Sequence, residues 1–110
     1  MAERKVALVT GAGTGVGRAV TLALMHEGYA VVLAGRRQEL LEAVAKEGAQ
    51  TPGEALTVTA DVANPESIKA LFARTKETYG RLDVLFNNAG IGAPAMPIED
   101  LPLDKWQAVV

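Results

Sequence analysis

The chain has 110 residues, 49% hydrophobic and 22% charged, with 11 basic against 13 acidic side chains and a formal net charge of −2. That length limits it to one small domain, and the composition is that of an ordinary globular fold rather than a disordered chain. No basic surplus points to nucleic acid or an anionic membrane, no apolar run approaches the ~20 residues of a membrane helix, and the absence of cysteine excludes disulfides, thiolate metal sites and a cysteine nucleophile. With no signal-peptide layout at Met1 to Lys5, a reducing, cytoplasmic setting is expected.

Lys5 to Thr10 is a short β-prone run that reads as a strand buried on both faces. Gly11 to Gly17 holds four glycines in seven residues and reads as a tight turn. Val16, Ala19, Val20, Ala23 and Leu24 then recur at helical spacing, and Gly28 supplies a stop. Tyr29 to Ala34 is a second strand. Gln38 to Glu47 is a second helix, with Leu40, Leu41 and Val44 inward and Glu42 and Lys46 as an outer i,i+4 pair. Pro52-Gly53 turns into a third strand, Ala55 to Thr59.

Asn64 caps and Pro65 opens a third helix. Its inner face is Ile68, Leu71, Phe72, Thr75 and Tyr79, and Gly80 ends it. Leu82 to Phe86 is a fourth strand, followed by the turn Asn87-Asn88-Ala89-Gly90. Ile91 to Pro102 is a proline-bearing loop, and Leu103 to Val110 starts another helix pattern. Strands alternating with helices predict an α/β fold with a doubly wound parallel sheet. Right-handed crossovers give the strand order 3-2-1-4 in one partial domain, residues 1–110.

The glycine turn fits neither G-x-G-x-x-G nor the lysine-bearing P-loop. It reads Thr10-Gly11-Ala12-Gly13-Thr14-Gly15-Val16-Gly17, or T-G-x-x-x-G-x-G. Glycines there let backbone approach a phosphate at a helix N-terminus, or simply let helix and strand pack closely. Asp61-Val62 follows the third strand and Asn87-Asn88-Ala89-Gly90 the fourth. All three segments fall at carboxyl ends of strands, where open α/β sheets bind ligands. Asp61 also serves as a turn residue, and the asparagines as turn chemistry with left-handed backbone.

With these three motifs at matching strand ends, the chain resembles the short-chain dehydrogenase/reductase family over essentially its whole length. The resemblance implies a Rossmann-like, NAD(P)-binding fold. Gly11, Thr14, Gly15, Val16 and Gly17 would then contact the pyrophosphate and adjacent ribose. Asp61 would hydrogen-bond the adenine amino group, Val62 would pack on that ring, and Asn88, Ala89 and Gly90 would line the ribose and hold the central strand. The second strand ends Gly35-Arg36-Arg37, with no carboxylate before Glu39. In the resemblance Arg36 occupies the NADP-selecting position, so Arg36 and Arg37 favour NADP over NAD; as plain solvated charges they would oppose the helix dipole.

The family's proton-transferring tyrosine precedes a lysine by four residues. Tyr29 is followed at that distance by Leu33 and Tyr79 by Asp83, so neither makes the pair. The lone serine, Ser67, is explained by helix capping. Leu101 to Trp106 looks like the run before the family's helix-borne asparagine. No catalytic residue is therefore assigned, and no metal site. The expectation is the cofactor-binding part of an oxidoreductase, acting on a small carbonyl or alcohol substrate and usually a homo-oligomer. The alternatives are a non-catalytic NADP-binding module or an unstable gene fragment. An apolar fourth strand at the sheet edge predicts association of the isolated chain.

Overall fold

A computed structural model describes residues 4–61 and 63–87. Four parallel strands, β1 (Val6–Thr10), β2 (Ala30–Gly35), β3 (Glu54–Thr59) and β4 (Val84–Asn87), form one sheet in the order β3-β2-β1-β4. Three helices, α1 (Gly15–His26), α2 (Gln38–Glu47) and α3 (Pro65–Tyr79), connect them. The register runs Val6↔Ala30 to Thr10↔Ala34, Ala7↔Val84 to Thr10↔Asn87 and Ala30↔Glu54 to Gly35↔Thr59. This is the doubly wound arrangement that the element order implies.

Alternation along the central strands builds two cores. Val6 and Leu8 of β1 and Ala30, Val32 and Ala34 of β2 join Leu71 of α3 on one face. Ala7, Val9, Val31 and Leu33 join Met25 of α1 with Leu41 and Val44 of α2 on the other. Both central strands are therefore apolar at nearly every position, as the covering of both faces requires. The third helix forms as its sequence dictates: Asn64 Oδ1 accepts from the Glu66 N–H (2.9 Å), Pro65 begins the helix, and Gly80 closes it at φ 75°. Among the described residues no helix is long and apolar enough to cross a membrane.

Several features differ from the sequence expectation. β4 runs Val84–Asn87 rather than Leu82 to Phe86, so that Asn87 belongs to the strand and not to the turn. α1 starts at Gly15 rather than after Gly17, and its buried residues are Gly17, Thr21 and Met25. Of the expected face, Val16, Ala19 and Ala23 are exposed, while Val20 and Leu24 pack against the core as expected. The helix follows the glycine turn so closely that the larger Met25 and the small Gly17 face the sheet. Glu42 accepts from Gln38 Nε2 (2.8 Å) rather than pairing with Lys46.

Thr21 is wholly buried, and its Oγ1 has no hydrogen-bond partner. An unsatisfied buried hydroxyl costs about 1–3 kcal/mol, and valine keeps the same branched shape. Thr21→Val should therefore stabilise the fold by about 1 kcal/mol in urea denaturation. A loss of stability would show that the hydroxyl is bonded.

At the amino end of the sheet, Asp83 Oδ2 accepts from the Val6 N–H (2.8 Å) and from Arg81 Nε (2.9 Å), while Asp83 Oδ1 accepts from Arg81 Nη2 (2.7 Å). Partial burial pushes this carboxyl up, but the bonds from Arg81 and Val6 and the charges of Arg81 and Lys5 outweigh it. The net shift is downward from 3.8. A depressed folded pKa stabilises the fold above the unfolded value, and that stability is lost as pH falls through the folded one. The stability gap between wild type and Asp83→Asn should thus be full near neutrality and close below pH 3.8. A gap that stays constant down to pH 2.5 would contradict this linkage.

Candidate functional site

The turns that leave β1, β2 and β3 lie side by side along the carboxyl edge of the sheet, because these three strands are neighbours. At about 4.8 Å per strand they span roughly 10 Å. α1 and α2 cover one face and α3 the other, so the winding reverses between β1 and β4. In open α/β sheets a reversal of this kind marks the strand ends at which ligands bind.

The glycine turn forms the floor. Gly11 leaves β1 at φ 62°, and buried Ala12 donates its N–H to Ala34 O (3.2 Å), tying the turn to β2. A Cβ on Gly13 would lie 2.8 Å from Leu40 Cβ of α2, so the turn and α2 approach as only glycine allows. Thr14 is the extended N-cap of α1, and its side chain makes no capping bond. Gly15 follows at φ 57°, and a Cβ there would meet no atom within 4 Å. Val16 beside it is 60% exposed, whereas Gly17 is buried against the sheet. The N–H groups of Gly15, Val16 and Gly17 have no partner within the helix. They carry the positive end of the helix dipole. One turn on, Arg18 donates through Nε to Glu47 Oε1 (2.8 Å) and through Nη2 to Glu47 Oε2, joining α1 to α2.

The second turn carries Gly35, Arg36 and Arg37. Both arginines are exposed, and Arg37 Nη2 stands 3.5 Å from Glu39 Oε2. Behind them Gln38 clamps α2 to β3: its Nε2 donates to Thr57 Oγ1 (3.0 Å), and its Oε1 accepts from Thr59 Oγ1 (2.6 Å). The third turn begins where the Ala60 N–H reaches Gly35 O (2.7 Å). Exposed Asp61 comes next; its Oδ1 accepts from the Ala63 N–H (3.0 Å) and its backbone O from the Asn64 N–H (2.9 Å). At the reversal point Thr10 Oγ1 donates to Asn87 Oδ1 (2.8 Å), locking the ends of β1 and β4 together.

The structure thus gathers Gly11, Thr14, Gly15, Val16, Gly17, Arg36, Arg37 and Asp61 along one edge. Val62, Asn88, Ala89 and Gly90 lie outside the described residues. The sequence motifs include Thr10 and Asn87 but do not show that they bond to each other, and they do not include Gln38. The signal for these contacts is register: Thr10 faces Asn87, and Thr57 and Thr59 share one face of β3. Ser67 is not the helix cap, since Asn64 fills that role; its Oγ accepts from the Asp61 N–H (2.8 Å).

Residues 5–110 match the family model of the short chain dehydrogenases. The chain is 42% identical over 108 residues to a 3beta-hydroxysteroid dehydrogenase of Mediterraneibacter gnavus, covering 98% of this chain and 39% of that protein. It spans about two fifths of the length of the curated relatives it matches. Among solved structures it superposes on an alcohol dehydrogenase of the archaeon Thermococcus sibiricus complexed with 5-hydroxy-NADP (TM-score 0.76, 36% identity, 94% of this chain and 44% of that one). It superposes equally on an NAD+-bound xylitol dehydrogenase (TM-score 0.76, 35% identity, 94% of this chain and 40% of that one).

These two structures correct the expectation that NADP outranks NAD. Equally similar folds hold either dinucleotide. The arginine run does not decide between them, because both side chains stand in solvent and Arg37 is drawn towards Glu39.

Proposed function

Because the chain belongs to the short-chain dehydrogenase family, we propose that it forms the dinucleotide-binding part of an oxidoreductase that transfers hydride between a nicotinamide and a small carbonyl or alcohol substrate. The observation that carries this reading is the start of α1, where a Cβ on Gly15 at φ 57° would meet no atom within 4 Å outside its own helix and the first N–H groups have no partner within the helix. Such a terminus attracts phosphate oxygens. Gly11, Thr14, Gly15, Val16 and Gly17 hold the pyrophosphate side. Arg36 and Arg37 flank the adenosine ribose, and Asp61 accepts from the adenine amino group. Val62 packs on the adenine, and Asn88, Ala89 and Gly90 line the ribose of the nicotinamide side. The bound nicotinamide supplies the hydride donor or acceptor; these residues bind and orient it. β4 lies at an open edge among the described residues, and pairing there favours self-association.

Titration of NADH and NADPH against the protein, followed by nicotinamide fluorescence, tests the reading. Saturable binding of either, displaced by ADP-ribose, is the expected result. No binding of either would contradict it. No turnover is expected from the 110-residue chain with any aldehyde or ketone, since neither tyrosine has a lysine four residues on. Turnover that survives purification to homogeneity would place the chemistry elsewhere.

A further inference from the structure

We infer that Ser67 is a positioning residue for the adenine end of the site: it holds the backbone of Asp61 so that the carboxylate is presented in one orientation. The inference rests on the adenine role proposed for Asp61. Along a parallel strand successive N–H groups point to opposite sides. The Ala60 N–H points to β2 and meets Gly35 O (2.7 Å). The Asp61 N–H therefore points to the outer side, where the sheet has no further strand among the described residues. Ser67 Oγ, from the first turn of α3, accepts it at 2.8 Å.

The serine is not required there by the helix. Asn64 Oδ1 already takes the Glu66 N–H (2.9 Å), and the Ile68 N–H reaches Asn64 O (3.1 Å). The hydroxyl instead reaches back six residues. Asp61 is thereby tethered at three points: its N–H to Ser67, its O to the Asn64 N–H (2.9 Å) and its Oδ1 to the Ala63 N–H (3.0 Å). An exposed aspartate ordinarily samples several rotamers, and this one sits in an Asx-type turn pinned at both ends. Orientation of that kind matters where a carboxylate must meet an exocyclic amino group, because a misaimed acceptor forfeits the bond.

The test compares NAD with nicotinamide hypoxanthine dinucleotide, which carries a carbonyl where adenine carries the amino group. A correctly aimed Asp61 favours adenine by about tenfold, the worth of a bond to a charged group. Calorimetry on wild type, Asp61→Ala, Ser67→Ala and Ser67→Thr gives the affinity ratio for each. Asp61→Ala should abolish the preference. Ser67→Ala should reduce it to about twofold, and Ser67→Thr, which keeps the hydroxyl, should restore most of it. A merely structural serine would alter stability, or weaken both dinucleotides alike, and leave the ratio unchanged. If wild type does not prefer adenine, or Asp61→Ala keeps the preference, the reading of Asp61 fails and the role of Ser67 falls with it. If Asp61→Ala loses the preference while Ser67→Ala retains it in full, the positioning role alone is overturned.

Discussion

Gly15→Ala should lower dinucleotide affinity about 100-fold while leaving the protein folded, a loss equivalent to one or two hydrogen bonds to a charged group. Two costs are separable here. The first is backbone strain: Gly15 adopts φ 57°, and an L-residue held in that region costs about 1–2 kcal/mol. The second is steric and belongs to the ligand. A Cβ at Gly15 meets nothing within 4 Å outside its own helix and chain neighbours, so in the proposed site it would compete with a phosphate approaching the first N–H groups of α1. Gly80→Ala isolates the first cost. Gly80 has φ 75° and equally empty surroundings, but it ends α3 at the amino edge of the sheet. Both variants should lose comparable stability in urea, and only Gly15→Ala should lose affinity. Equal affinity in the two would remove the glycine turn from the binding site.

Gly53→Ala should cost about 3 kcal/mol and lower the melting temperature by more than about 10 °C. The added Cβ would lie 2.5 Å from Tyr29 O, 2.6 Å from Met25 O and 2.7 Å from Met25 Cα. These are backbone atoms already in use: Tyr29 O accepts from the Glu54 N–H (3.1 Å) at the first rung between β2 and β3, and Met25 O accepts from the Gly28 N–H (3.0 Å) beyond α1. Relief therefore requires the end of α1, the start of β2 and the start of β3 to separate. The strand so displaced is the one whose far end presents Asp61. A variant within about 0.5 kcal/mol of wild type would mean that this contact is looser than the structure shows.

The large features are legible in the chain because local and global signals agree. Asn64, Pro65 and Gly80 mark the ends of α3, and the apolar runs at Val6 and Val31 can only be strands covered on both sides. What escapes is orientation. The helical spacing of α1 reads from the sequence as Val16, Ala19, Val20, Ala23 and Leu24, of which Val20 and Leu24 pack against the core and the other three are exposed. Gly17 and Thr21 are the buried residues instead, since small side chains sit where the helix lies closest to the sheet. A lone serine in a helix's first turn reads as a cap, and only the placement of the third turn shows its hydroxyl on the Asp61 N–H. Paired arginines read as a phosphate fork, yet exposure beside Glu39 leaves them uncommitted. In each case the residue type is visible and its direction is set by tertiary packing.

The most direct measurement of the central claim is an amide NMR titration of the protein with NAD and with NADP. Binding at the carboxyl edge of the sheet predicts shifts concentrated in residues 11–17, 35–37 and 60–64, the turns that follow β1, β2 and β3. The amino-edge residues Gly28, Gly53 and Gly80 to Asp83 should stay in place. Shifts centred on that opposite edge, or no shifts with either dinucleotide, would contradict the assignment of this edge as the dinucleotide site.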